Sequence, residues 1–317
     1  MPSRTKAQSE ALSREAQVFL DKIPRIPCPT LLARFLTGPR TALKIRSRWA
    51  KMEDPIEESV IAAQQLEFEN TVIAGVHILI IKPPIIKLEM QSKIMLNIHG
   101  GGFIAATARD RSALLMAGEF GIKVYSVEYT LSPEAHYPVA RDQCLAVYKE
   151  LTASFGAMNI LGMCTSAGGQ IMLSLLALAQ RQKLPMMAGL VLYTPATDLS
   201  ASGDSPITNA GRDVMHPAIV AAIAEKNYIR KHDTKNPLVS PLFADFEAGF
   251  PPTVITTGTR DVLLSGSLRL SWKLRDVSNR VELLVADGMW HAYHWEPEMP
   301  EAIRTRKEVY KFLESLT

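Results

Sequence analysis

A serine within a run of small residues, Cys164-Thr165-Ser166-Ala167-Gly168, constrains the fold more than any other stretch of the sequence. The apolar segment Ile160–Met163 before it predicts a buried strand, and Ile171–Ala179 after it predicts a buried helix. A sharp strand-to-helix turn requires small neighbours, because its serine adopts a strained backbone conformation that exposes the hydroxyl. Such a serine also lies at a helix N-terminus, where free N–H groups favour developing negative charge. The pattern predicts a nucleophile elbow, although a serine among small residues is by itself more often an ordinary turn.

Strands and helices alternate through most of the chain. Apolar runs predict strands at Leu66–Ile73, Val76–Ile81, Lys93–Ile98, Lys123–Tyr129, Gly189–Tyr193, Thr253–Thr257 and Val281–Val285. Helical spacing predicts helices at Asp110–Phe120, Arg141–Phe155, Leu268–Val277 and Pro300–Leu316. This alternation favours βαβ units, and so an α/β fold with a central, mainly parallel sheet flanked by helices. Ligands bind such sheets at the carboxyl ends of the strands.

Two segments do not fit the alternation. Residues 1–63 have a helical pattern interrupted by prolines, and we expect them to form an N-terminal helical cap. Nearly sixty residues separate Tyr193 from Thr253, too many for a plain crossover. Because Pro217–Ile229 has helical apolar spacing, we expect a second cap segment at residues 199–235. Residues 64–198 and 236–317 then form the two parts of the core.

Composition limits the classes of function. The 317 residues are 47% hydrophobic, enough to bury a large core, and the net charge of +3 is too small to indicate a nucleic-acid binder. Residues 1–51 are basic, with eleven Lys or Arg against three acids, which fits an anion-attracting flap or a solvated helix face. The sequence has no run of eighteen apolar residues, and its N-terminus lacks a signal-peptide pattern. We therefore expect a cytoplasmic protein without stable membrane insertion.

The cysteines are three and scattered, at Cys28, Cys144 and Cys164. An odd number at these spacings argues against a disulfide framework or a cysteine-rich metal site. Cys164 lies two residues from Ser166 and is a candidate reactive thiol, but a small buried filler at a crowded turn is the favoured interpretation. Nothing in the sequence calls for a metal or an organic cofactor.

Three consecutive glycines, Gly100-Gly101-Gly102, follow the strand that ends at Ile98. A phosphate-binding loop is disfavoured, because the lysine of G-x-x-x-x-G-K-[ST] is missing and no G-x-G-x-x-G opens a helix. The backbone N–H groups of Gly101 and Gly102, with that of Ala167 after the serine, instead predict an oxyanion hole. His99 would then fix the loop.

A serine nucleophile needs a base, and the base needs a carboxylate. His291 follows the last strand and is the favoured base, with His294 as its rival. A metal site formed by these two histidines is disfavoured, because no H-E-x-x-H helix accompanies them. Asp261 follows the strand Thr253–Thr257 and is the favoured carboxylate, with Asp287 and Asp198 as weaker alternatives. The order Ser, Asp, His is that of α/β-hydrolases.

These residues resemble the hormone-sensitive-lipase-like (family IV) carboxylesterases of the α/β-hydrolase superfamily over nearly the whole chain. The similar segments are His99–Phe103, Val127–Glu134, Ser166–Gly169, Thr197–Leu199, Asn236-Pro237 with Ser240-Pro241, and Gly288-Met289 before His291. The resemblance implies an α/β-hydrolase fold with a lid, carboxylic-ester hydrolysis, and Ser166, Asp261 and His291 as catalytic residues. It also implies a possible homodimer, often formed through the last strand and helix.

The sequence departs from this family at two places. The family usually has Gly-Asp-Ser-Ala-Gly, where this chain has Cys164 and Thr165 before the serine. We expect this exchange to affect the rate more than the type of reaction. The segment Val262–Ser265 also lacks the acidic residue that the family often has after its catalytic aspartate.

The sequence therefore predicts a serine esterase that acts on small-molecule esters with short- to medium-chain acyl groups. Two alternatives stay open: an acyltransferase or lactone hydrolase of a biosynthetic pathway, and a non-catalytic ligand-binding receptor on the same fold. Phe103, Trp49, Met215 and Trp290 are candidate substrate-binding residues, for which core packing is an equal interpretation.

Overall fold

The centre of the protein is one eight-stranded sheet, seen in a computed structural model that describes residues 4–22 and 37–316. The strands are β1 (Glu67–Ile73), β2 (Val76–Lys82), β3 (Ile94–Ile98), β4 (Lys123–Glu128), β5 (Ile160–Thr165), β6 (Gly189–Tyr193), β7 (Thr253–Gly258) and β8 (Val281–Ala286). Their order is β1-β2-β4-β3-β5-β6-β7-β8. The pairs β1/β2 and β2/β4 are antiparallel and all others are parallel, which confirms the predicted mainly parallel sheet.

Ten helices surround or extend the sheet in the described part of the chain. They are α1 (Lys6–Glu10), α2 (Arg14–Lys22), α3 (Pro39–Gln64), α4 (Arg111–Leu115), α5 (Val139–Phe155), α6 (Ala167–Arg181), α7 (Ser205–Thr208), α8 (Pro217–Ile223), α9 (Leu264–Asp276) and α10 (Pro300–Glu314). π-Helical turns continue α4 through Met116–Gly121 and α8 through Ala224–Ile229. The helices predicted from apolar spacing are thus present, with ends shifted by a few residues.

The hydrophobic core lies on both faces of the sheet. Every residue of β3, β5, β6 and β7 is buried, since helices cover both faces of these central parallel strands. Along β3, Ile94 and Leu96 belong to the cluster beneath α5, α6 and α9, whereas Met95 belongs to the cluster beneath α10. This alternation follows from the two-residue period of a strand. The parallel order of the central strands places their carboxyl ends together at one edge of the sheet.

The predicted N-terminal cap region is helical where the structure describes it, in α1, α2 and α3; residues 23–36, which include Cys28, lie outside the described residues. The long helix α3 contacts α4, where Arg111 pairs with the buried Glu53 at 2.9 Å. A buried carboxylate is stable only when paired, so this contact fixes α3 against the sheet layer.

A long connection of residues 194–252, here called the insertion, joins β6 to β7 and contains α7 and α8. Its helical segment at Pro217–Ile229 agrees with the predicted one, although its second half is a π-helical turn. Of the helices in residues 4–22 and 37–316, none is long and apolar enough to cross a membrane.

Candidate active site

Ser166 lies at the turn between β5 and α6, with φ 53° and ψ −119°. This conformation is strained for a residue with a side chain, and packing on both sides enforces it. A Cβ atom on Gly168 would lie 2.1 Å from the carbonyl oxygen of Ile98, and one on Gly169 would lie 2.6 Å from Cβ of Pro195. The small residues after the serine are therefore required because neighbouring backbone segments approach the turn closely.

The two residues that replace the usual Gly-Asp before the serine are both fully buried. The Cys164 thiol contacts the carbonyl oxygen of Val191 at 3.7 Å, and burial raises the pKa of the thiol well above its usual value. The thiol therefore stays protonated, which supports the buried-filler interpretation. The Thr165 hydroxyl forms a 2.8 Å hydrogen bond with Ser112 and so occupies a neutral polar site beneath the turn.

The loops after β7 and β8 bring two side chains to Ser166. Nε2 of His291 lies 2.8 Å from the Ser166 hydroxyl oxygen, and Nδ1 lies 3.1 Å from Oδ1 of Asp261. With the ring proton on Nδ1, His291 donates to Asp261 and accepts from Ser166. Asp261 also accepts hydrogen bonds from the Thr257 hydroxyl at 2.9 Å and from the backbone N–H of Leu263 at 2.9 Å. The three residues predicted as nucleophile, base and carboxylate thus form one hydrogen-bonded chain.

The electrostatic surroundings favour a proton on the imidazole. Burial lowers the pKa of His291, but the charge of Asp261 and its hydrogen bond raise it by more, so that the pKa lies above its usual value. Asp213 adds a smaller effect in the same direction. A base with a raised pKa accepts a proton readily when the hydroxyl attacks.

The glycine loop packs directly against this chain. A Cβ on Gly100 would lie 2.9 Å from the Thr165 carbonyl oxygen, and one on Gly101, whose φ is +90°, would lie 2.1 Å from the Ala105 carbonyl oxygen. Gly102 has φ +61°, and a Cβ there would meet nothing within 4 Å. Only glycine satisfies both the close approach and the left-handed conformation at Gly101.

The N–H groups predicted as an oxyanion hole are free to bind. In the part of the chain that the structure describes, the N–H groups of Gly101, Gly102 and Ala167 donate to no protein acceptor. His99 lies beneath this loop, stacked on Tyr129 with ring centroids 4.2 Å apart, and burial lowers its pKa to about 4. Nδ1 of the buried His99 lies 3.0 Å from the carbonyl oxygen of Gly100, so this imidazole holds the loop, while the imidazole that contacts Ser166 is that of His291.

Comparison with known proteins agrees with this geometry. A family model for the alpha/beta hydrolase fold matches residues 95–295, more than half of the chain. The chain belongs to the α/β-hydrolase family. An esterase of Acinetobacter venetianus is 29% identical to this α/β hydrolase over 220 residues, which are 67% of this chain and 72% of the relative.

Two solved structures extend the comparison to the whole fold. The crystal structure of esterase E25 is 28% identical and has a TM-score of 0.88, covering 99% of this chain and 97% of that one. That of the hormone-sensitive-lipase homologue EstE7, from a metagenome library, is 28% identical with a TM-score of 0.77, covering 90% of this chain and 97% of that one. The resemblance to hormone-sensitive-lipase-like carboxylesterases is confirmed.

The rival residues of this α/β hydrolase have other partners. His294 is buried beneath the elbow, where Nε2 lies 3.0 Å from the Ser112 hydroxyl oxygen and burial lowers its pKa well below the usual value. Asp287 accepts a hydrogen bond from the Thr259 hydroxyl at 3.1 Å, and Asp198 accepts from hydroxyl and backbone N–H groups in its own loop. Within residues 4–22 and 37–316 no group of three His, Cys, Asp or Glu side chains could hold a metal ion.

The candidate substrate-binding residues separate into two groups. Phe103, directly after the glycines, stacks on Tyr228 of the insertion with ring centroids 3.8 Å apart. Trp49 of α3 packs against a small apolar cluster that includes Ile104, so both aromatic side chains lie where the glycine loop meets the segments outside the sheet.

The other two candidates differ in burial. Trp290 is buried and stacks on Phe19 of α2 with ring centroids 4.2 Å apart, which is core packing. Met215 is partly buried in the insertion. Sequence reasoning missed Asp213, two residues before Met215, because no motif surrounds it.

Proposed function

We propose that this α/β hydrolase cleaves carboxylic esters through an acyl-enzyme formed on Ser166. The observation that carries the proposal is the hydrogen-bonded chain from Ser166 through His291 to Asp261, with contacts of 2.8 Å and 3.1 Å. The relatives named as esterases support the same reaction class.

In the first half-reaction, the Ser166 oxygen attacks the ester carbonyl while His291 takes the hydroxyl proton. The negative charge on the carbonyl oxygen is met by N–H groups of Gly101, Gly102 and Ala167, which are worth about 3 kcal/mol each at such sites. His291 then gives its proton to the departing alkoxide, so that an alcohol leaves and the acyl group stays on Ser166. Asp261 keeps the imidazole oriented and stabilises its positive charge.

In the second half-reaction, water replaces the alcohol. His291 takes a proton from water as the oxygen attacks the acyl carbon, and it returns the proton to Ser166 as the acyl–oxygen bond breaks. The products are a carboxylic acid and the regenerated serine. Each proton transfer runs between His291 and an oxygen atom of Ser166, the leaving alcohol or water. His291 is therefore the acid and the base in every step.

We also propose that residues 1–63 and 199–235 form a cap that sets a preference for short- to medium-chain acyl groups. A small apolar cluster supports this, because it joins α3, the glycine loop and α8 through Ala42, Ile104, Ala105 and Ile223. Aromatic contacts at Phe103 and Trp49 border the same region. This apolar cluster beside the glycine loop favours a substrate with an apolar acyl or alcohol group.

The direct test replaces Ser166 by alanine and measures hydrolysis of p-nitrophenyl butyrate. We expect turnover to fall by at least about 1,000-fold, because the nucleophile is lost while the fold is kept. Ser92→Ala, an exposed serine before β3 and outside both proposed cap segments, is the matched control and should keep wild-type activity. Unchanged turnover in Ser166→Ala would reject the mechanism. A panel from acetate to decanoate, with added alcohols as competing acceptors, would give the chain-length preference and separate hydrolysis from acyl transfer.

A further inference from the structure

A second buried carboxylate, Asp213, lies beside the hydrogen-bonded chain and belongs to the insertion. Its side chain is only 5% exposed. Oδ1 accepts hydrogen bonds from the backbone N–H of His291 at 2.9 Å and of Val214 at 2.7 Å, and Oδ2 accepts from the backbone N–H of Val262 at 2.8 Å. In the described residues Asp213 donates to no group, so the ionised carboxylate fits this site.

Two of these N–H groups belong to the loops that carry the reactive side chains. Val262 directly follows Asp261 in the loop after β7, and the other N–H is that of His291 itself, in the loop after β8. One rigid carboxylate therefore joins the two loops to each other. Because hydrogen bonds to a charged group are stronger than those between neutral groups, this bridge resists separation of the loops.

Other contacts from the insertion reach the same loop. The Asn209 amide donates to the backbone carbonyl of Asp261 at 2.8 Å, and the Ser205 hydroxyl donates to the carbonyl of Val262 at 2.7 Å. The insertion thus holds the backbone at residues 261 and 262 through both its N–H and its carbonyl groups.

We propose that Asp213 is a positioning residue for ester hydrolysis: it holds Asp261 and His291 in register and places a second negative charge beside the imidazole. The inference rests on the proposed function, since it assigns Asp213 to the orientation of the proposed base. The consequence is that the insertion takes part in the chemistry through a backbone bridge, in addition to any contact with substrate.

The charges around Asp213 predict that its replacement changes the pH dependence of the reaction. Facing it are Asp261 from the loop after β7 and His291 from the loop after β8, while Arg212 next to it in sequence donates to the Asn209 side chain at 2.9 Å. Burial and the charge of Asp261 raise the pKa of Asp213 to about 7, whereas the charge of His291 lowers it, so the Asp213 carboxylate and the imidazolium form of His291 stabilise each other. The charge of Asp213 in turn favours the imidazolium form of His291. Removing that charge should lower the pH at which His291 gains its proton.

The experiment compares Asp213→Asn with the exposed control Asp245→Asn, from the same insertion but outside residues 199–235. Asparagine keeps the shape, but it presents an NH₂ group to one of the N–H donors that the carboxylate accepts. We expect kcat for p-nitrophenyl butyrate to fall about 10–100-fold with KM within about threefold, because misalignment affects the transition state more than binding. The acid limb of kcat/KM should move to lower pH by about half a unit or more.

Two further measurements keep the test decisive if Asp213→Asn is partly unfolded. The midpoint of the acid limb does not depend on the amount of folded enzyme, and Asp213→Glu retains the charge, so its acid limb should stay near that of the wild type. An unmoved acid limb in Asp213→Asn, with activity lost only in proportion to the folded fraction, would overturn the inference, as would wild-type kcat. A wild-type enzyme that hydrolyses no ester would instead overturn the proposed function, and this inference with it.

Discussion

Arg46 of α3 connects the N-terminal helices to the glycine loop, and its replacement gives a quantitative prediction. Nε donates to the carbonyl oxygen of Ile104 and Nη2 to that of Ser132, both at 2.7 Å. The guanidinium also forms two 2.7 Å hydrogen bonds with the Glu134 carboxylate. Since the Ser132 N–H donates to the carbonyl of Phe103 at 2.8 Å, Arg46 holds the chain directly after the glycines from two sides.

The expected magnitude follows from how exposed each partner is. Glu134 is 48% exposed, so its ion pair with Arg46 contributes at most about 1 kcal/mol. The two bonds to backbone carbonyls are less exposed and charge-assisted, about 1 kcal/mol each after allowing for the 28% exposure of Arg46. Arg46→Met should therefore lower the free energy of unfolding by about 2–3 kcal/mol in total. Glu134→Gln, the matched control, should cost at most about 1 kcal/mol.

Urea unfolding followed by tryptophan fluorescence measures the free energy of unfolding, and kcat/KM for p-nitrophenyl butyrate measures the effect on the glycine loop. We expect kcat/KM to fall about tenfold in Arg46→Met, because looser N–H donors stabilise the oxyanion less well. In Glu134→Gln it should change by less than about twofold, since the carbonyl contacts remain. Equal losses in the two variants, or unchanged kcat/KM in Arg46→Met, would refute the assignment of the effect to the backbone carbonyls.

Two other predictions concern the elbow and the base. In a pH–rate profile, kcat/KM should fall on acidification with a midpoint above 6.5, the ordinary pKa of histidine, because Asp261 raises the pKa of His291 against the effect of burial. Asp261→Asn should move that midpoint to lower pH; an unmoved midpoint would contradict the role of Asp261. Gly168→Ala should lower the free energy of unfolding by about 3 kcal/mol or more, since its Cβ would lie 2.1 Å from the Ile98 carbonyl oxygen. Gly102→Ala, with open space at Cβ, should cost about 1–2 kcal/mol in the same urea assay, and equal losses would contradict the packing argument.

The sheet was predictable because its central strands carry the required information locally. Gly189–Tyr193 is a short, wholly apolar run in the sequence and a wholly buried strand with the same ends in the structure. The helix after Ser166 begins at Ala167, four residues before its apolar spacing, because the backbone turn at the serine sets the start of the helix. The π-helical turn Met116–Gly121 overlaps the second half of the helix predicted at Asp110–Phe120, because apolar spacing does not distinguish the two helix types.

The candidate site likewise contains residues that the sequence predicts and residues that it does not. Ser166, Asp261 and His291 each follow a strand, so their meeting at one sheet edge follows from the parallel order alone. His294 is only three residues from His291, and spacing could not show that a short turn directs it beneath the elbow towards Ser112. Asp213 could not be found because its role depends on how a long insertion folds back over two distant loops.

The candidate catalytic groups are held in place partly by the sheet and partly by the segments outside it. Ser166 directly follows a fully buried strand, and close contacts with neighbouring segments fix its turn. The glycine loop and the loops carrying Asp261 and His291 are irregular, and such segments hold a geometry only when their backbone groups are bound. Arg46 binds the first from the N-terminal helices, and Asp213 binds the other two from the insertion. Replacement of Arg46 or Asp213 should therefore lower kcat, which loss of a simple cover over the substrate site would not do.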